Sequence, residues 1–209
     1  MIKNIIFDLG GVIIDYSPCK TFAKYFPDSR DVDLVMDVLY TPDARGQCLW
    51  SDADRGVKTV AETVAEACLH LPPRLHETLT RLVLNWWDEM PPLPAMCAFI
   101  RELRERGFRL FLLSNTPPEF HARKASIPAL AYFDGCVASC DHKLLKPEPA
   151  LFQVLFDAFA LDPAECFFID DVRKNVDGAA AVGMRGHCYE HGDIKKLRQA
   201  MNEIIENRK

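Results

Sequence analysis

The sequence predicts an α/β fold, a Rossmann-like doubly wound parallel sheet with a helical block inserted after its first strand. Short apolar runs that end in polar residues recur at Ile5–Val12, Leu112–Asn115 and Phe167–Asp171. In the second half of the chain, helical and extended patterns alternate, which implies parallel strands with helices on both faces. Between Tyr16 and about Pro91 the apolar spacing is helical only.

Taken in order, Ile2 to Phe7 is short and apolar enough for a buried strand, and Gly10-Gly11 breaks it just after Asp8. The next stretch places Val57, Val60, Ala61, Val64, Ala65 and Cys68, then Leu75, Leu79, Leu82 and Val83, at helical spacing. The run Met90-Pro91-Pro92-Leu93-Pro94 resists helix and reads as a hinge. Beyond it, Met96, Phe99, Ile100 and Leu103 share a helix face, Gly107 stops that helix, and Phe108 to Leu113 is extended. Pro149 to Phe159 is helical, Cys166 to Ile169 extended, Val176 to Val182 helical and Met184 to Tyr189 extended. A last helix, Asp193 to Asn207, presents Ile194, Leu197, Met201, Ile204 and Ile205 on one face. The expected organisation is a core of residues 1–15 and 93–209 with a helical cap at 16–92. A cap over a crevice excludes water and selects substrates.

Composition narrows the function classes. The 209 residues are 49% hydrophobic, enough to bury a real core. A net charge of −5 with both signs mixed offers no basic face for nucleic acid, and Arg101 to Arg106 alternates in sign as a solvated helix face does. No signal-peptide pattern follows Met1, and no apolar run approaches the ~20 residues of a membrane span. A cytoplasmic protein without a nucleic-acid or membrane partner is expected, as a monomer or homodimer. The eight cysteines include no Cys-x-x-Cys pair and read as buried, reduced thiols. His187 and His191 flank Cys188, but on an extended segment and a turn, which disfavours a zinc site.

Four pieces carry the chemistry. Asp8 ends an apolar strand, and the glycine pair after it lets the backbone turn so that the carboxylate faces the crevice. An ordinary Asp is ionised at neutral pH and is a ready nucleophile toward phosphorus. Two anions must then meet, so positive charge is required. Asp170 and Asp171, at the end of another strand, suit a hard divalent cation such as magnesium, which uses one or two carboxylates, waters and substrate phosphate. Lys146 would neutralise a phosphate oxygen and hold Asp8, while Ser114 and the backbone around Asn115 and Thr116 would bond other oxygens in the transition state. Each feature alone is commonplace. Their order and their placement at strand ends carry the reading.

Together, Asp8, Ser114, Lys146-Pro147 and Asp170-Asp171 resemble the motifs of the haloacid dehalogenase-like hydrolase superfamily, in the branch with a small helical cap. The resemblance covers nearly the whole chain. It implies that Asp8 becomes phosphorylated, that Ser114 and Lys146 bind phosphate, and that Asp171 ligates magnesium with Asp170 nearby, directly or through water. It further implies a magnesium contact from the Gly10 carbonyl, a loop-organising role for Asn175, and a family lysine loop from Ser139 to Glu148. The start, Phe7-Asp8-Leu9-Gly10-Gly11-Val12, is also similar to bacterial phosphatases acting on glucose 1-phosphate, so a small phosphorylated metabolite, a sugar phosphate, is the expected substrate.

One position departs from the family pattern. Family phosphatases carry a second Asp two residues after the nucleophile as acid and base, and here that residue is Gly10. General acid–base catalysis contributes ~10²–10⁴-fold, so turnover is slow, the leaving group is undemanding, or another group substitutes. A 2-haloacid dehalogenase and a silenced binding protein are the alternatives. The Asp170-Asp171 pair argues against the first, and the retained Asp8, Ser114, Lys146 and Asp171 argue against the second. A phosphosugar mutase would need the group that Gly10 removes. In the cap, Arg45, Trp50, Arg55 and Lys58 are candidates to meet substrate, although each more simply packs or faces solvent. Trp86-Trp87 reads as a packing anchor.

Overall fold

The computed structural model describes residues 1–44, 46–190 and 192–206, without the side chains of 204–206. The chain begins with β1 (Asn4–Phe7) and then leaves the sheet for α1 (Pro18–Tyr25), α2 (Ser29–Tyr40), α3 (Leu49–Asp54), α4 (Val60–Leu69) and α5 (Pro73–Leu84). A 3-10 turn (Trp86–Glu89) leads back to α6 (Pro94–Glu105) and β2 (Arg109–Ser114). The remainder is α7 (Phe120–Arg123), β3 (Gly135–Ala138), α8 (Ser139–His142), α9 (Pro149–Phe159), β4 (Cys166–Asp170), α10 (Arg173–Ala181), β5 (Arg185–Cys188) and α11 (Ile194–Glu206). No helix of the described residues is long and apolar enough to cross a membrane.

The five strands are parallel in the order β3-β2-β1-β4-β5, as the alternation of elements predicts. Alternate residues of the central strands feed opposite faces, because successive strand side chains point opposite ways. Ile5, Phe7, Leu110, Leu112, Phe167 and Ile169 join the core that includes Met96, Phe99, Ile100 and Leu103 of α6 and Leu197 and Met201 of α11. Ile6, Phe111, Leu113 and Phe168 face the other way, against Leu151, Phe152, Leu155 and Phe156 of α9 and Ala179 of α10. Strands buried on both faces read as continuous apolar runs, which is why β1, β2 and β4 were recognisable.

β3 was not expected. Its edge residues Gly135 and Cys136 are not buried, so it has no such run. Gly135 is set by close packing, since the ring of Phe159 occupies the space of any added side chain. Val57 also departs from expectation. It is 51% exposed in the turn before α4, because the Thr59–Glu62 capping box, with Thr59 Oγ1 accepting from the Glu62 amide, starts the helix at Val60. Ile204 and Ile205 lie outside the residues whose side chains are described.

The outgoing and returning chains are stitched together where they cross. The Asp15 amide donates to the Pro91 carbonyl at 2.9 Å and the Leu93 amide to the Ile13 carbonyl at 2.8 Å, with Ile14 bridging Pro92 antiparallel. The hinge is therefore a short ladder. Above it, Trp86 packs its ring 5.2 Å from Phe22 and 6.0 Å from both Tyr16 and Trp50, and Trp87 packs on Phe120 of α7. Both tryptophans are packing anchors, and Trp86 is 4% exposed. Trp86→Ala should therefore cost ~3–5 kcal/mol of unfolding free energy. Denaturant titration followed by circular dichroism would measure it.

Candidate active site

The sheet register brings the site together. Phe7 stands level with Leu112 on one side and Ile169 on the other, so Asp8, Ser114 and Asp170 emerge side by side at the carboxyl ends of three adjacent strands. Neighbouring strands leave the central β1 in opposite directions here, and that switch point opens the crevice where ligands bind.

Lys146 is the hub. Its ammonium is fully enclosed and lies 2.7 Å from Asp8 Oδ1 and 2.7 Å from Asp170 Oδ2. Burial works against its charge, but Asp170 and Asp8 together push its pKa above the ordinary lysine value. Asp170 is wholly buried, and its Oδ1 accepts from the Val172 amide at 2.8 Å and Asn175 Nδ2 at 3.0 Å. Asn175 Nδ2 also reaches Asp170 Oδ2 at 3.2 Å, while the Asn175 Oδ1 is buried without a donor. Asp8 is raised to about 7 by burial, with Asp170 and Asp171 adding and Lys146 opposing. Asp171 is raised to about 6, first by burial and then by Asp170.

Three carboxylates with oxygens all within 4.8 Å of one another, two of them paired with one ammonium, leave an excess of negative charge. A hard divalent cation answers that excess. The fit extends to the backbone. Gly10 lines the cavity with Asp8 and Asp171, and no backbone hydrogen bond among the described residues uses its carbonyl. Gly11 has φ +70° and its Cα lies against the Asp171 carboxylate, so only glycine gives both the turn and the approach. Asp170 is the least available of the three, because Lys146, Val172 and Asn175 already occupy both its oxygens.

Ser114 is 2% exposed and lines the cavity. The Asn115 side chain does something the sequence did not reveal. It clamps the Lys146 peptide, accepting from the Lys146 amide at 2.8 Å and donating to its carbonyl at 3.2 Å, so this side chain is engaged with protein. The Thr116 amide corrects an expectation. It donates to Ser139 Oγ at 2.9 Å and is not free for phosphate.

A cavity of about 570 Å³ runs from Asp8, Ser114, Lys146 and Asp171 up to a wall of Trp50, Val60, Val83, Trp86 and Met90. Of the candidates from the helical segment, Trp50 lines it. Arg55 lines it as well, but its guanidinium is engaged by Glu148 and by the Lys143 carbonyl at 3.1 Å. Lys58 pairs instead with Asp52 at 2.8 Å and Glu66 at 2.6 Å, and Arg45 lies outside the described residues. Tyr16, whose hydroxyl lies 3.1 Å from that of Tyr40, and Asp54 at the end of α3 also line the cavity, and sequence reasoning singled out neither. Asp54 sits in Ser51-Asp52-Ala53-Asp54-Arg55, which reads as an ordinary solvated helix end.

The cysteines are all unpaired, but only Cys140, Cys166 and Cys188 are buried, while Cys19 and Cys136 are exposed. Cys188 Sγ approaches the Asp171 carbonyl at 3.5 Å, and His191 lies outside the described residues.

The model of the haloacid dehalogenase-like hydrolase family matches residues 2–183. The chain belongs to that family. This hydrolase is 32% identical to a sesquiterpene phosphatase of Aspergillus oryzae over 88% of either chain. It is 24% identical to a phosphorylated carbohydrates phosphatase of Thermotoga maritima, over 95% of this chain and 91% of the relative. A family enzyme of Bacteroides thetaiotaomicron, solved with magnesium and inorganic phosphate, shares the fold with TM-score 0.68 at 23% identity, over 94% of this chain and 99% of that one.

The raised carboxylates of the hydrolase make a stability prediction. A folded-state pKa above the unfolded value means that the folded protein binds more protons, so stability falls as pH rises between the two values. For Asp171 that window runs from the ordinary carboxyl value of 3.8 to about 6. In chelator, Asp171→Asn should leave the melting temperature nearly unchanged at the acid end of this window and raise it relative to wild type above it. Paired thermal melts across pH would check this.

Proposed function

We propose that this hydrolase is a magnesium-dependent phosphatase of a small phosphorylated metabolite, working through a phospho-aspartyl intermediate on Asp8. One observation carries the reading: a fully buried lysine joins Asp8 to Asp170 beside a third carboxylate, at the floor of a cavity. Such an arrangement orients a carboxylate nucleophile while keeping positive charge where phosphate oxygens must sit. The curated relatives named above are phosphatases, which supports the same chemistry.

Asp8 attacks phosphorus and the bond to the leaving oxygen breaks. Lys146 Nζ, Ser114 Oγ and the Asn115 amide hold the oxygens as they spread charge. A water then attacks the phospho-Asp8 and restores the carboxylate. Asp8, Asp171 and the Gly10 carbonyl would hold magnesium, with Asp170 behind them, and the ion would offset the charge between nucleophile and phosphate. Asp170, Asn175 and the Asn115 side chain are positioning residues that act through Lys146. Residues 16–92 serve as the cap, since one wall of the cavity comes from this segment and the floor from the core.

A sugar phosphate is supported by the carbohydrate phosphatase relative and by the start of the sequence. A second reading, an apolar organic phosphate, is favoured by the wall that faces Asp8. Trp50, Val60, Val83, Trp86 and Met90 offer a hydrocarbon surface, and nearby hydroxyls and thiols pair with each other, as in Tyr16 with Tyr40 and Cys48 with Ser51. Sugar hydroxyls would lose water there without full replacement. The sesquiterpene phosphatase relative agrees with this reading. We place the reaction in the cytoplasm, in keeping with eight unbridged cysteines.

A panel of phosphorylated metabolites assayed with magnesium or with chelator tests the proposal. Hydrolysis should require the metal, and Asp8→Asn and Asp171→Ala should abolish it while remaining folded. Undiminished phosphate release in excess chelator would overturn the metal role, and metal-independent halide release from a 2-haloacid would favour a dehalogenase. Trp50→Ala separates the substrate readings. It should lower kcat/KM for a long-chain alkyl phosphate by ~10-fold or more and that for a hexose phosphate much less.

A further inference from the structure

Gly10 stands where an acid–base carboxylate would be expected, and the structure crowds that position. A Cβ on Gly10 would lie 3.1 Å from Tyr16 Cβ and 3.2 Å from Tyr16 Cγ and Cδ1. The Tyr16 ring is itself fixed, packed against Trp86 with its hydroxyl 3.1 Å from that of Tyr40. If the proton comes from a carboxylate, that carboxylate must stand elsewhere on the cavity wall.

Besides Asp8, four carboxylates line the cavity: Asp54, Glu119, Glu148 and Asp171. Glu148 is paired with Arg55, and Asp171 belongs to the cation cluster. Asp54 has no hydrogen-bond or ion-pair partner for its carboxylate among the described residues, although its main chain is tightly held. Its carbonyl accepts from Ser139 Oγ at 2.5 Å, and the same Oγ accepts from the Thr116 amide, two residues beyond Ser114. The next two residues are also tied to the core, Arg55 to Glu148 and the Gly56 carbonyl to Lys143 Nζ at 2.6 Å. Asp54 is thus delivered from α3 to the phosphate end of the cavity on a rigid mount. There it faces Asp8 and Lys146 of the core and Tyr16 and Tyr40 of the helical segment. Burial, and then the charge of Asp8, push its carboxyl up to about 8, with Lys146 opposing.

We propose that Asp54 is the general acid and base of this hydrolase, supplied by the helical segment in place of the side chain that Gly10 lacks and that Tyr16 would crowd. This rests on the phosphatase reading. As Asp8 bonds to phosphorus, the electron pair of the breaking P–O bond stays on the leaving oxygen, which takes the Asp54 proton and departs as an alcohol. The Asp54 carboxylate then takes a proton from water as the water oxygen bonds to phosphorus. The bond from phosphorus to Asp8 breaks, inorganic phosphate leaves, and both carboxyl groups return to their starting forms.

The experiment compares 4-nitrophenyl phosphate, whose leaving group needs little protonation, with n-hexyl phosphate, whose leaving group needs it. Full-length wild type, Asp8→Asn, Asp54→Asn, Asp54→Glu and Glu119→Gln are assayed with magnesium, the last because Glu119 Oε2 is buried without a donor. Asp54→Asn should keep the rapid burst of nitrophenolate, accumulate phosphoenzyme, and lose ~10²–10⁴-fold in single-turnover cleavage of hexyl phosphate. Asp54→Glu should recover part of that loss. Wild-type cleavage of hexyl phosphate by Asp54→Asn would overturn the proposal, as would loss of the nitrophenolate burst in equal measure. Transfer of the leaving-group effect to Glu119→Gln would overturn it too. In those cases the phosphatase reading stands as long as the wild type hydrolyses 4-nitrophenyl phosphate with magnesium and Asp8→Asn does not. Without that magnesium-dependent hydrolysis both fall together.

Discussion

The ammonium of Lys146, enclosed between Asp8 and Asp170, is the interaction on which the rest of the site depends. Burying charges is costly unless each is paired and hydrogen-bonded, and the surroundings meet that condition from several directions. Asn115 holds the lysine by its own peptide, and Asn175 and the Val172 amide hold Asp170 from behind. Asp8 is therefore fixed by a partner that is itself fixed. The parallel register explains why these groups meet at all, since it levels the ends of β2, β1 and β4 to within one residue.

The same region shows how a surplus of like charge is put to use. Asp8 and Asp171 are both raised, chiefly by burial, with the charge of Asp170 adding and Lys146 only partly opposing. In the cation-free chain this is an unfavourable arrangement. It persists because Gly11, at φ +70° and with no side chain, lets Asp171 approach the loop after β1.

Much of this was legible in the sequence, for physical reasons. The central strands are buried on both faces and so appear as unbroken apolar runs, and Asp8, Ser114, Asp170 and Asp171 follow directly from their ends. The edge strand β3 was not legible, because an edge needs no such run. The Asn115 clamp, the Thr116 amide taken by Ser139, and Asp54 were also hidden. Each depends on a contact between distant parts of the chain, up to 85 positions apart for Ser139 and Asp54. Local patterns record which face of an element is apolar. They do not record which loop a helix end will touch.

The ladder of Ile13 to Asp15 against Pro91 to Leu93 has a consequence for how such proteins diversify. The two main-chain bonds close the insertion at its base, so whatever lies between residues 16 and 90 enters and leaves the core through one narrow, sequence-tolerant gate. Backbone hydrogen bonds of this kind ask little of side-chain identity. Evolution can therefore lengthen, shorten or exchange the inserted block without disturbing the sheet. A descendant that acquires a new insertion inherits the Lys146 and Asp8 pair intact, but must replace every cavity-lining group, Asp54 among them, that travelled with the old one.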